Sequence, residues 1–388
     1  MLSLLNFFKI DIPKNRIFGL DLLRAIAILL VLFGHSKHFL PNNIAYFLNK
    51  YILIDGVGLF FVLSGFLIGG IFIKDFEKDT SFKSLLNFWK RRWYRTLPNY
   101  FLILSSLLLL SIPEIDFNNF KYFIFLQNLY SPISHFFSES WSLSIEEWFY
   151  LTAPLLIFGI LSVSKNKISL KYSILIIALL MIFFPTLLRA YRYFTLEIPK
   201  SFHTWDLYFN RQVITRLDSI MIGVVGAWLQ RYYPSIFFFK KNILFIIGTI
   251  SLFLLHIFQA SYDPHFYITS FSFNALAALM LIPFLYKMNN SFSNKVKYNI
   301  WKKGGVIICN SITYTSLISY SLYLTNMSLI SFRIPNDNND DSFNLIGFMA
   351  FWIISFLLST LIYKYFEVPT TKLRDKKINI IFLLKIKL

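Results

Sequence analysis

Residues Phe18 to His38 read FGLDLLRAIAILLVLFGHSKH, an apolar run long enough to lie in lipid that nonetheless carries Arg24 and His35. An ionisable side chain at that depth is expensive, which makes it a functional candidate by default. Eleven residues at about 100° each return a helix to within roughly 20° of its starting direction, and at about 1.5 Å per residue they set the two side chains roughly 16 Å apart along the axis. Arg24 and His35 therefore share one face at different depths. The bland alternative is an arginine that snorkels to the headgroups and a histidine packed into a bundle.

The rest of the chain fits a membrane setting. Of 388 residues, 56% are hydrophobic and 19% aromatic, Phe alone counts 45, and only 15% are charged; the mean hydropathy is +0.56. No soluble domain of this size hides so much apolar surface, so the expected class is an all-α, polytopic integral membrane protein. We read about ten spans, near 17–38, 52–73, 96–112, 143–161, 172–190, 213–230, 242–260, 266–286, 306–331 and 344–363. With the N-terminus inside, the inner segments hold 28 of the 38 lysines and arginines, the outer loops and span ends hold 9, and Arg24 is the last, which predicts that both termini are cytoplasmic. The same loop placement assigns the net charge of +18 to membrane topology, not to nucleic acid.

The first run lacks a small-residue cleavage site and is expected to stay as a helix. NDNNDD at 336–341 falls on the outer side, KYFIFLQNLY at 121–130 is expected to be an interfacial or re-entrant helix, and INIIFLLKIKL at the end is expected to lie on the inner surface. Residues 1–371 form the expected membrane domain and 372–388 a basic cytoplasmic tail. The outer stretches Pro113 to Ser142 and Tyr191 to Gln212 are candidate walls of an outward-facing site. Cys309 is the single cysteine, which excludes an internal disulfide and a thiolate metal cluster. His38, His135, His203, His256 and His265 show no metal-ligand spacing, so no metal is expected.

Five further stretches carry chemistry. GVGLFFVLSGFLIGG places Ser64 and Gly65 among bulky residues, which suits either close helix packing or a backbone lining a pocket; Asp55 before it reads as a water-facing end residue. FWKRRWYRTLPNY, read as the end of an inner loop, sets Arg91, Arg92 and Arg95 among aromatics, a cradle for phosphates or for anionic lipid headgroups. In SESWSLSIEEWFY, Glu146 follows Trp141 and shares a helix face with Tyr150; it is either solvated or placed to polarise an imidazole or a hydroxyl. RLDSIMIG offers Arg216 and Asp218 as a buried ion pair or an orienting couple, and Tyr320 and Tyr323 in SYSLYLTN need hydroxyl partners inside the bundle.

Taken together, GLDLLRAIAILLVLFGH, GVGLFFVLSGFLI, FWKRRWYRTLPNY, WSLSIEEWFYL, RLDSIMIG, ISYSLYL and YFEVPTTKL resemble, in order and spacing, the acyltransferase-3 family of bacterial membrane O-acyltransferases. Two departures stand out. Where many relatives continue ISYSLYL into a Trp/His pair, this chain reads TNMS, so any role of that histidine is absent or passes to Asn326. The chain is also expected to be a stand-alone membrane domain, without the extra-cytoplasmic hydrolase-like domain of longer members.

The resemblance implies transfer of an acyl group, usually acetyl, from cytosolic acyl-coenzyme A to a hydroxyl of a glycan or glycolipid such as lipopolysaccharide O-antigen. The implied location is the bacterial inner membrane. It implies His35 as the essential residue, Arg24 as its companion, and Arg92 and Arg95 as donor-binding arginines. On this reading Glu146 orients the imidazole, Arg91 joins the donor site, Tyr320 or an amide near Ser64 stabilises the oxyanion, and acetyl-coenzyme A is a substrate with no permanently bound cofactor. A rival reading is a flippase that moves a lipid-linked glycan without chemistry.

Overall fold

The structure is a computed structural model that describes residues 10–13, 16–110, 116–134, 136–165, 167–197, 201–258, 264–288, 299–335 and 344–374. Among the described residues there is no β-strand. The longer helices are α1 (Phe18–Ser36), α2 (Gly56–Phe76), α3 (Phe82–Leu110), α4 (Ser140–Val163) and α5 (Leu170–Thr195), then α6 (Leu217–Tyr232), α7 (Lys241–Ile257), α8 (Ser270–Tyr286), α9 (Asn299–Thr325) and α10 (Leu345–Ile362). Each overlaps one of the apolar stretches read from the sequence. Five helical segments are long and apolar enough to cross a membrane: Phe18–Phe39, Asn42–Phe76, Ser140–Val163, Leu170–Thr195 and Leu345–Leu373; α7 and α8 are shorter apolar helices.

The tightest seam joins α2 to α6. A Cβ on Gly65 would lie 2.0 Å from the Ile220 carbonyl oxygen, and one on Gly223 would lie 2.2 Å from that of Val62. Without side chains at these two positions the backbones approach closely, which is how helices gain packing energy where lipid removes most of the hydrophobic drive. Gly65 is thereby explained as a packing residue, and its assignment to a pocket is corrected. On the other side, α1 packs against α2 and α9, so α1 lies inside the bundle with Ala27, Ile28 and Leu32 fully buried.

Two local readings change. FWKRRWYRTLPNY is not a loop: it lies within the 29-residue helix α3. Lys, Arg and Leu are good helix formers and no glycine interrupts them; Pro98 removes one donor without ending the helix. The stretch at 121–130 is not an α-helix either. A 3₁₀ segment, Phe117–Ile124, stops at Phe125 with φ 57°, and the Phe125 carbonyl accepts from Ser144 Oγ at 2.8 Å and Trp148 Nε1 at 2.9 Å, tying this stretch to α4. The acidic run 336–341, His135 and the terminal INIIFLLKIKL lie outside the described residues.

Candidate active site

Two adjoining cavities run through the bundle between α1, α2, α3, α4 and α9. One, with an empty volume of about 810 Å³, runs from Arg16 and Asp21 to Arg24. The other, about 720 Å³, continues from Arg24 to Ser142, Tyr320 and Tyr323. Both walls contain Arg24, Ser64, Arg92 and Arg95, so the cavities meet at a ring of three guanidinium groups and one hydroxyl. The helical spacing explains this convergence: Arg92 and Arg95 are three residues apart on one face of α3, opposite Arg24 on α1.

The carboxylates nearby are mostly engaged elsewhere. Arg92 Nη2 donates to Glu146 Oε2 at 2.8 Å, with side chains only 10% and 14% exposed, and its guanidinium lies 4.2 Å from the centre of the Tyr150 ring. Asp21 is held by Arg16 and accepts from Ser316 Oγ at 2.8 Å. Glu147 accepts from Thr96 Oγ1 at 2.9 Å, and Glu367 accepts from Asn99 Nδ2 and Ser321 Oγ, each at 2.8 Å. Among the described residues, Arg24 and Arg95 make no ion pair. Two guanidinium groups without ion-pair partners face one cavity junction, and clustered cations between low-dielectric walls attract anions, although Glu146 and Glu367 line the second cavity as well.

His35 is placed differently from Arg24. Its ring Nδ1 meets Asn326 Oδ1 at 2.5 Å, its carbonyl accepts from Ser331 Oγ at 3.0 Å, and it lies on neither cavity wall. The nearest link to the cavity is through Tyr323, whose side chain lines it and whose carbonyl accepts from Asn326 Nδ2 at 2.8 Å. Tyr323 Oη in turn accepts from Ser142 Oγ at 2.7 Å and donates to the Glu139 carbonyl at 3.0 Å.

Several sequence assignments are corrected by these contacts. Glu146 pairs with Arg92 instead of orienting His35; Asn326 occupies that role. Arg91 points away, paired with Asp75 on the exposed side of α3, and is absent from both walls. The reason is angular: Arg91 sits about 100° round the helix from Arg92. Trp141 packs edge-on against Phe61 at 5.9 Å in the core, and Tyr150 stands behind the wall with its hydroxyl 2.5 Å from Ser64 Oγ. Tyr320 lines the cavity but donates its hydroxyl to the Thr96 carbonyl at 2.8 Å.

Arg216 and Asp218 are not a couple, because residues two apart on a helix do not face each other. Asp218 pairs with Arg189 at 2.9 Å, both fully buried, and accepts from Ser272 Oγ at 2.6 Å. Arg216 reaches Asp55 at 3.4 Å, and Asp55, read as a solvated end residue, also caps α2 by accepting from the Gly58 amide at 2.8 Å. Sequence reasoning missed Arg16, Thr96, Asn99, Glu139 and Ser316 as members of this network. Glu367 was quoted in YFEVPTTKL but given no role, although a carboxylate set between Phe366 and Val368 at the end of the last span was the available signal.

A family described as "Acyltransferase domain" matches residues 17–380. A Staphylococcus aureus (strain COL) protein with a provisional O-acetyltransferase name is 26% identical over 93% of this chain and 58% of its own length. The peptidoglycan O-acetyltransferase OatA of Listeria monocytogenes is 26% identical over 91% of this chain and 56% of its own, and the O-acetyltransferase OatA of Staphylococcus aureus (strain NCTC 8325 / PS 47) is 24% identical over 91% and 57%. The chain thus spans less than two thirds of the length of these relatives. No solved structure matches it.

Proposed function

Because the chain belongs to this acyltransferase family, we propose that it is a membrane O-acyltransferase. On this reading it crosses the bacterial inner membrane about ten times, with both termini cytoplasmic, and moves an acetyl group from cytosolic acyl-coenzyme A to a glycan hydroxyl outside. The observation that carries the proposal is the cavity junction at which Arg24 and Arg95 stand without carboxylate partners. The phosphates of a coenzyme A supply the anion such a junction is built to hold, by charge-assisted contacts to planar guanidinium groups. The pantetheine arm then extends through the second cavity toward Tyr323, and the thioester reacts beyond it, near His35.

His35 takes the acceptor hydroxyl's proton while that oxygen attacks the thioester carbonyl; collapse of the tetrahedral intermediate breaks the C–S bond, and the coenzyme leaves as its thiol after taking up a proton. In the alternative order the imidazole first carries the acyl group and then yields it to the hydroxyl. Ser64 lies on the same cavity wall as Arg24, and Arg24 is roughly 16 Å along α1 from His35. Ser64 therefore serves the donor's path and not the oxyanion.

The name of the Listeria relative makes a cell-wall glycan a natural first acceptor, with lipopolysaccharide O-antigen the second. The test is purified protein in proteoliposomes with acetyl-labelled coenzyme A and each acceptor in turn. Label on a glycan together with free coenzyme thiol supports the proposal. Intact donor with translocated glycan supports a flippase instead.

A further inference from the structure

Asn326 is buried at the start of a π-helical turn, Asn326–Ile330, that follows α9. Its Nδ2 donates to the Leu322 carbonyl and to the Tyr323 carbonyl, each at 2.8 Å. An amide nitrogen has two hydrogens, and both are thereby committed. Turning the amide over would set its oxygen against those two carbonyl oxygens and lose both bonds, so Oδ1 must be the atom that faces His35. Oδ1 can only accept, which requires the proton on His35 Nδ1.

The turn that carries Asn326 is itself pinned. The buried Glu139 carboxylate accepts from the Ser328 amide at 3.0 Å and from Ser328 Oγ at 2.5 Å, and Ser331 Oγ donates to the His35 carbonyl. Side chain and backbone of His35 are thus gripped by one short segment, and that segment is clamped to the start of α4.

We propose that Asn326 is a positioning residue that fixes His35 as the Nδ1–H tautomer and leaves Nε2 as the nitrogen that reacts, with Glu139 holding the turn in place. The tautomer follows from the hydrogen-bond geometry alone; its catalytic use rests on the acyltransferase reading. In neutral imidazole the two nitrogens have opposite roles, and the bond made by one assigns the other. A base held in the wrong tautomer loses most of its rate even when its geometry survives.

The full chain, labelled with ¹⁵N-histidine and reconstituted in nanodiscs, tests this by nitrogen NMR, with His35→Gln identifying the His35 signals. The expected result is a protonated Nδ1 and an unprotonated Nε2 at His35. In Asn326→Ala that preference should vanish and kcat should fall roughly 10- to 100-fold, as for other residues that orient a working imidazole, with the donor KM within about twofold. Asn326→Asp, which keeps the acceptor toward His35 but loses the two anchoring bonds to the Leu322 and Tyr323 carbonyls, should retain the tautomer and recover only part of kcat over the alanine variant. A proton on Nε2 in the unaltered chain overturns the proposal, and so does an alanine variant that keeps Nδ1–H. A correct tautomer in a chain that transfers no acetyl to any acceptor leaves the assignment of Asn326 standing and sinks the acyltransferase reading.

Discussion

Arg95→Gln separates binding from folding. Arg95 lines both cavities, is solvent-accessible and lacks a carboxylate partner among the described residues, so its removal breaks no ion pair within the fold. It relieves repulsion instead, because Arg24 and Arg92 line the same junction and only Arg92 is neutralised. A hydrogen bond to a charged group contributes about 1.5–3 kcal/mol, so coenzyme A should bind roughly 10- to 150-fold more weakly. Thermal stability without ligand should stay the same or rise. Calorimetric titration of coenzyme A into nanodisc-embedded protein reads the first quantity, and a thermal scan reads the second. The affinity of the unaltered chain should also fall more steeply with salt than that of the variant. Arg91→Gln is the internal control: its partner is Asp75, it lies on neither wall, and affinity should change less than about twofold. The reasoning fails if Arg95→Gln alters affinity by less than about threefold, if it lowers the melting temperature, or if Arg91→Gln has the larger effect.

Three further outcomes follow from the packing and the charges. Gly65→Ala pushes a methyl into the Ile220 carbonyl, so α2 and α6 must separate; a loss of about 1–3 kcal/mol or more is expected as a lower melting temperature in detergent. Asp218→Asn leaves Arg189 buried without its counter-charge, which should cost about 3–5 kcal/mol and much of the yield of folded protein, while any protein recovered binds coenzyme A as before. Outside the spans, Arg231 donates to Glu77 and holds its carboxyl below the ordinary value of 4.5. A lowered folded-state pKa stabilises above the unfolded value and is lost as pH falls through the folded one, so Glu77→Gln should remove part of the stability near neutral pH and flatten its decline in acid.

The helical class and the positions of the longer helices were legible because apolar runs of membrane length leave few alternatives. Arg24 was legible for a related reason, since a guanidinium inside an apolar run stands out, whereas Arg92 was legible from its basic stretch interleaved with aromatics. Their partners were not, because pairing depends on which helices become neighbours. Arg189 and Asp218 are 29 residues apart and Glu367 and Asn99 are 268 apart, and no local pattern joins them. The basic stretch of α3 was misread as a loop because charge was taken to mark the membrane boundary, whereas a helix continues through that boundary at no cost to its own hydrogen bonds. Asn326 was noticed only as a departure from the family pattern; its committed amide hydrogens appear only once the turn after α9 is seen.

The central claim is that an acetyl group crosses from one side of the bilayer to the other by way of His35. Sealed proteoliposomes test it directly, with labelled acetyl-coenzyme A supplied only on the side where the Arg16 cavity opens and the glycan acceptor enclosed on the other. The account predicts labelled glycan inside the vesicles with free coenzyme thiol outside, and neither with His35→Ala of equal abundance and melting temperature. Labelled glycan formed by the alanine variant, or product that appears only when donor and acceptor share one side, would contradict it.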